Sequence, residues 1–376
     1  MKKLNKKKRY INAIIFMILP MLFTGCFNYN DINKVTFATS VIFDIDDLGQ
    51  TILYLDCIKP YRSTNEGSDK GRRMVYKGKG KTALEALEGV GRVASNKLNY
   101  SQIRAYIFTE KAAKKSIEKY LDLINNYNEF QVKPSAFIYY GNVEELLAAT
   151  TNDEEYLGML LNDLIGTQSY GVEATESNIN YYLSNVLMGD NTILLPAITL
   201  KSGALDKKIE INGSAIIKDN VLVDKLDSED SLMYNLMMGK VKSGILTLGN
   251  PNTKEDFISL NILQTTATND VSYENDALVI NKNINIEVSV AEIQGDAIVD
   301  YQLLDYIKNN EEAYVNKYVE YVFNKYKEKD IDIFDVGRIM EIHYPKINSE
   351  DILSRTNVNI NSNIKIEGTG AVRNSL

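Results

Sequence analysis

Residues 283–294 read NINIEVSVAEIQ, and residues 358–370 read VNINSNIKIEGTG. Both runs alternate. Ile284, Ile286, Val288 and Val290 fall on one side of the first, and Val358, Ile360, Ile364 and Ile366 on one side of the second. Asn285, Glu287 and Ser289, and Asn357, Asn359, Asn361 and Asn363, fall on the other sides. A period of two marks strands with one face on a core and one in water. Between the two runs, residues 301–329 place Leu304, Ile307, Val315, Val319, Val322 and Tyr326 at helical intervals. Together they predict an antiparallel-rich sheet with a long helix laid across its apolar face.

Upstream, EINGSAIIKDNVLVDKL (210–226) predicts a hairpin with Asp219 and Asn220 at its tip, residue types that tolerate the positive φ of a tight turn. SEDSLMYNLMMGK (228–240) predicts a helix capped by Ser228, and IDIFDVGRIMEIHY (331–344) a shorter one. KSGILTLG (242–249) and DFISLNILQTTATND (256–270) predict further strands.

The first half begins with strands over 31–47 and 51–61, joined by a turn at Asp46, Asp47 and Gly49. Lys59 to Lys81 is polar and reads as an irregular loop. A helix over 81–97 has Leu84, Leu87, Val90 and Ala94 at helical spacing, with Thr82 as its cap. IRAYIFTE (103–110) and PSAFIYY (134–140) are strands around a helix over 111–127 that carries Ile117, Leu121 and Ile124. Residues 143–188 read as short helices broken by Gly166 and Gly171. ILLPAITLKS (193–202) is a strand whose Pro196 calls for an edge or a bend.

The fold class is α+β, a mixed α/β chain of two to three domains, each a mixed or antiparallel sheet with helices packed on it. The expected divisions are a leader at 1–25, an N-terminal α/β region at 26–200 with a subdivision near 142, and a C-terminal domain at 201–376. The charged stretch from Gly203 to Lys208 marks the boundary.

The leader has a basic start (MKKLNKKKRY), an apolar run of 15 residues from Tyr10 to Thr24, and then Gly25-Cys26. A spanning helix needs about 20 apolar residues, and Pro20 interrupts this run. A small residue followed by cysteine is the shape of a bacterial lipoprotein signal, cut before Cys26 with lipid added to its thiol. The alternatives are an ordinary export signal and a short anchor helix. Cleavage would remove six basic residues and leave 36 basic against 50 acidic, a net charge of −14. Such a chain has little to offer nucleic-acid phosphates. It would also be repelled by anionic lipid, so it needs a covalent tether. Cys57 is then the one remaining cysteine, set in a β-rich apolar run as a small buried thiol.

Catalytic patterns fail in turn. His343 is the one histidine, so there is no Cys/His metal cluster. Gly80-Lys81-Thr82 ends like a phosphate-binding loop, but Val75 stands where its first glycine belongs. Gly89, Gly91 and Ala94 imitate a dinucleotide fingerprint inside a helix rather than at its start. Asp44, Asp46 and Asp47 lack the later glutamate of a calcium loop. The reading is a non-enzyme with no cofactor and no metal. One local charge feature stands out. Lys59, Arg62, Lys70, Arg72, Arg73, Lys77, Lys79 and Lys81 face only Glu66 and Asp69 within the same stretch. This is either a patch for headgroups or acidic partner loops, or a solvated loop.

The order of these parts resembles the spore germination receptor C-subunit family, Ger(x)C. The resemblance rests on the lipobox and on Gly213, Lys218 and Asp219 in the hairpin. Gly239, Lys240 and Val241 follow a short helix; Asp332, Ile333, Phe334, Gly337, Tyr344, Pro345 and Lys346 precede the closing strand. It implies a lipoprotein on the outer face of the spore's inner membrane, held there by lipidated Cys26. It implies assembly with an integral A subunit and a transporter-like B subunit, and a role in nutrient-triggered germination. The alternative is a solute-binding lipoprotein of a transporter, a class usually built from two doubly wound lobes; the consecutive strands at 258–292 argue against it. A surface hydrolase is the third reading.

Overall fold

The computed structural model describes residues 34–59, 72–149, 156–167, 178–188, 191–204, 206–253, 255–295, 299–348 and 350–368. The leader, Cys26, Arg62 and Lys70 lie outside them.

The first sheet opens with β1 (Val35–Ile45) and β2 (Thr51–Lys59), paired antiparallel. At their turn the Asp46 carboxylate accepts the N–H groups of Leu48 (3.0 Å) and Gln50 (2.8 Å). β3 (Arg72–Gly80) pairs antiparallel with β2. The expected irregular loop is therefore half strand, and the reason is the glycine–lysine alternation. Lys77 and Lys79 point to solvent, while Gly78 and Gly80 lie under α1 (Ala83–Val93). A Cβ on Gly78 would stand 2.0 Å from the Ala86 carbonyl oxygen. Only a bare backbone lets the helix sit that close. Thr82 caps α1, its hydroxyl accepting the Glu85 N–H at 3.1 Å. The buried face is Ala83, Ala86, Leu87 and Val90; Leu84, expected inside, is 45% exposed.

β4 (Lys97–Asn99), β5 (Ala105–Thr109), α2 (Glu110–Ala113), α3 (Glu118–Asn126) and β6 (Ser135–Tyr139) follow. The single helix expected over 111–127 is two, because the Ile117 N–H leaves the helical ladder for the Asn220 carbonyl at 2.9 Å. Then come α4 (Val143–Ala148), α5 (Leu157–Thr167), α6 (Ile179–Leu187), β7 (Thr192–Ser202), β8 (Lys207–Lys218) and β9 (Val221–Leu226). The strand order is β3-β2-β1-β5-β6-β7-β8-β9, with β4 beside β1. The centre, β1-β5-β6-β7, is parallel and the flanks are antiparallel. β5 is buried at all five positions, as a strand covered on both faces must be. Phe43, Phe108 and Tyr120 stack on one side of the sheet; Phe137, Tyr139, Leu146, Leu157 and Leu161 pack on the other. Pro196 sits in an interior strand at a register shift, so it marks a bend. Between β7 and β8 the Gly203 N–H meets the Asp206 carbonyl at 2.8 Å, and the sheet runs on through β8 and β9 to Leu226.

The second sheet has β10 (Gly244–Gly249), β11 (Phe257–Glu274), β12 (Ala277–Ile293) and β13 (Thr356–Gly368), in that order. β13 runs parallel to β12; the other pairings are antiparallel. β11 and β12 are longer than the sequence suggests and turn at Asn275 and Asp276, both at positive φ like Asp219 and Asn220. α7 (Ser228–Met237), α8 (Tyr301–Glu328) and α9 (Val336–His343) cover one face. The cap of α7 is Asp227, accepting the Asp230 N–H at 2.8 Å; Ser228, the expected cap, donates to Asn212 at 2.9 Å. On the open face Asn359, Asn361 and Asn363 donate to Asn281, Asn283 and Asn285 at 2.8, 3.1 and 3.2 Å. The outer edge of β13 is closed by α8. Asn316 and Glu312 accept the N–H groups of Ser362 and Ile364, both at 2.8 Å. A helix so placed blocks edge-to-edge pairing.

The two sheets share hydrophobic core, since Leu194, Ile216 and Leu226 of the first belong to the cluster that fills the second.

Candidate functional site

Of the residues that carry the family resemblance, Gly213 and Gly239 are spent on close backbone approaches. Gly213 has φ +80°, and a Cβ there would meet the Leu226 carbonyl oxygen at 2.1 Å. Gly239 has φ +63°, with Ala267 N 2.8 Å from where a Cβ would be. Val241 is buried and its carbonyl accepts the Thr265 hydroxyl at 2.6 Å. Lys240 is exposed and lies 5.5 Å over the Tyr234 ring. Asp332 caps α9, accepting N–H from Val336 at 3.0 Å and Gly337 at 2.9 Å. Ile333 and Phe334 are core residues, and the Tyr344 hydroxyl reaches the Val271 carbonyl at 3.4 Å. Lys218 bonds the Asp330 carbonyl at 2.6 Å and so ties the first sheet to the end of α8. Pro345 and Lys346 sit in the exposed turn beyond α9.

Among the described residues of the basic run, Arg73, Lys77 and Lys79 are each engaged by an acidic partner. Arg73 turns inward, its Nε 2.5 Å from Asp56 Oδ1 and one guanidinium nitrogen 2.8 Å from the Leu147 carbonyl. Asp56 is fully buried and also accepts the Leu157 N–H at 2.7 Å and the Thr39 hydroxyl at 3.4 Å. Burial pushes its carboxyl up, and these partners pull it back. The cluster pins β2 and β3 to the start of α5. Lys77 pairs with Glu144 at 3.6 Å, and Lys79 with Asp46 at 2.6 Å. Lys59 is half-buried beside Arg72 in the β2–β3 pairing, and Lys81 is exposed at the start of α1.

The other sequence candidates are accounted for locally. Asp47 pairs with Lys111 at 2.6 Å, and Asp44 accepts the Thr109 hydroxyl at 2.6 Å. His343 is exposed at the end of α9. Cys57 is buried, which pushes its thiol up and makes it a poor nucleophile. Among the described residues no group of three or more His, Cys, Asp or Glu is arranged to hold a metal ion. No described helix is long and apolar enough to cross a membrane.

Two clefts flank α9. One, 330 Å³, is polar and lies where the sheets meet, with Lys218, Asp330, Asp332 and Glu341 on its wall. The other, 210 Å³, is mostly apolar and includes Lys282 of β12. Sequence reasoning missed Lys282 and the buried Glu311 of α8. The signal was there: Leu278, Ile280, Ile284, Ile286, Val288 and Val290 share one parity with Lys282, so the lysine must face the core. Glu311 falls four residues after Ile307 and four before Val315, on the same helix face.

Comparison with known proteins places this architecture. Residues 28–200 match the family model described as the spore germination protein N-terminal domain, and 212–370 the one described as spore germination B3/GerAC like, C-terminal. The chain is similar to spore germination protein GerQC of Bacillus cereus, with 21% identity over 344 residues, 90% of this chain and 92% of that protein. It is also similar to spore germination protein A3 of Bacillus subtilis, with 23% identity over 245 residues, 63% of each. The crystal structure of the GerBC protein shares the fold, with a TM-score of 0.58 at 15% identity, over 90% of this chain and all of that one. The chain belongs to the Ger(x)C family of spore germination proteins.

Proposed function

We propose that this chain is the lipid-anchored, non-enzymatic C subunit of a nutrient germinant receptor, seated on the outer face of the spore's inner membrane. The observation that carries the reading is the two family models matching in order across 28–200 and 212–370. The leader with Gly25-Cys26 supplies the anchor. The partners are an integral A subunit and a transporter-like B subunit, and the part of this chain is to scaffold or gate them. The use of Gly213, Gly239 and Asp332 in folding contacts suits a scaffold rather than a catalyst. The basic run is a weaker contact surface than its charge suggests, because Arg73, Lys77 and Lys79 already hold acidic partners.

The anchor is tested by Cys26→Ala. One acyl chain holds a protein only marginally and stable attachment takes two signals, which a diacylated cysteine provides. The variant is expected in the soluble fraction of spore lysates, with the parent chain in the membrane fraction. An unchanged membrane fraction contradicts lipid anchoring.

A further inference from the structure

The row of β12 that faces the core is Leu278, Ile280, Lys282, Ile284, Ile286, Val288 and Val290. Lys282 is the only polar member and is 6% exposed. β12 is interior to its sheet, with Asn269 of β11 and Ile360 of β13 as the neighbours of Lys282. Among the described residues its amine has no hydrogen bond or ion pair. Its stem is buried in the core, while the amine reaches the adjoining cleft, where water or a ligand must supply the partners the protein does not. Burial lowers this amine to about 8.

The lysine lines the 210 Å³ cleft together with Met237, Ile280, Phe323, Phe334 and Ile339. An apolar cavity of about 150 Å³ accepts a molecule the size of benzene, so this one holds a body of five or six carbons. We propose that the cleft between α7, α9 and the β11–β12 pair is a binding site for a small amphipathic carboxylate, its apolar body against Phe323 and Phe334 and its carboxylate on Lys282 Nζ. Ligand sites of this kind combine apolar walls with one or a few placed polar groups. Asp335 and Arg338 both line the same cleft and offset one another, so Lys282 is the cation left over for a single carboxylate.

The test uses the full chain in nanodiscs of zwitterionic lipid, with hexanoate, hexan-1-ol and hexylamine as probes. Acetylation of each lysine by a small amine-reactive reagent at pH 8 is followed by mass spectrometry. Hexanoate is expected to slow Lys282 labelling saturably, by about tenfold or more, and to leave exposed Lys365 unchanged. Hexan-1-ol and hexylamine are expected to protect Lys282 far less. Lys282→Met keeps the stem and removes the charge; it should abolish the rise in melting temperature that hexanoate gives the parent. Three results overturn the proposal: no saturable protection, equal protection by hexan-1-ol, or a hexanoate shift that survives Lys282→Met. If the variant does not fold, the labelling comparison among the three probes decides alone.

Discussion

Asp56 and Lys282 are both charges in the middle of a sheet, and they are treated in opposite ways. Asp56 lies in the first sheet, which is covered on both faces, and meets Arg73, the Leu157 N–H and Thr39. Lys282 lies in the second sheet, which is covered on one face only, and meets no partner among the described residues. Glu311 of α8, packed over that same face, is 3% exposed, and its Oε2 has no hydrogen-bond partner. Where both faces are covered, water cannot reach a charge and the protein must supply the whole solvation shell. Beside an open cleft the shell can come from water or a ligand. The first unit therefore spends its buried charge on holding strands to helices. The second pairs buried Asp230 with Lys325 at 2.5 Å but leaves Lys282 and Glu311 Oε2 without a partner among the described residues, which lowers its stability and gives it the chemistry to bind something.

The comparison breaks most visibly at the paired charge. Arg73→Met would leave Asp56 buried and uncompensated, and removing one partner of such a pair costs about 3–5 kcal/mol. Urea unfolding should show a loss of that size. A loss under about 1 kcal/mol would mean that the pair behaves like an exposed one.

The unpaired charge gives the opposite sign. Burial raises the Glu311 carboxyl from 4.5 to about 7. The native state thus holds this proton more tightly than the unfolded state does. The group is no burden below about pH 4.5, and stability is lost as pH rises through 7. Its full cost above pH 7 is about 3 kcal/mol. Glu311→Gln should therefore stabilise the chain at pH 8 and make little difference near pH 4.5. A stability gap that does not change with pH would show that Glu311 finds a partner in solution.

Much of the fold was legible because period-two and period-3.6 patterns report burial directly. The alternation at 284–290 and 358–366, the helix over 301–329 and the Asp219-Asn220 turn all come from that. What was hidden has physical causes. β3 looks like a loop because two of its inward positions, Gly78 and Gly80, are glycines, needed for the close approach of α1. The break between α2 and α3 depends on a bond from Ile117 to Asn220, more than a hundred residues away. The start of β12 was missed because Lys282 interrupts its apolar row. The motif residues were legible as a family pattern, but their work in backbone packing was not, since it depends on what lies opposite each glycine.

The claim that most needs testing is that the chain works as one subunit of a membrane receptor. The direct measurement is affinity purification of the tagged full chain from detergent-solubilised spore membranes, with the co-purifying proteins quantified by mass spectrometry. The account predicts recovery with two integral membrane proteins, one of them transporter-like, in comparable molar amounts. Recovery of the chain alone from the membrane fraction would contradict it.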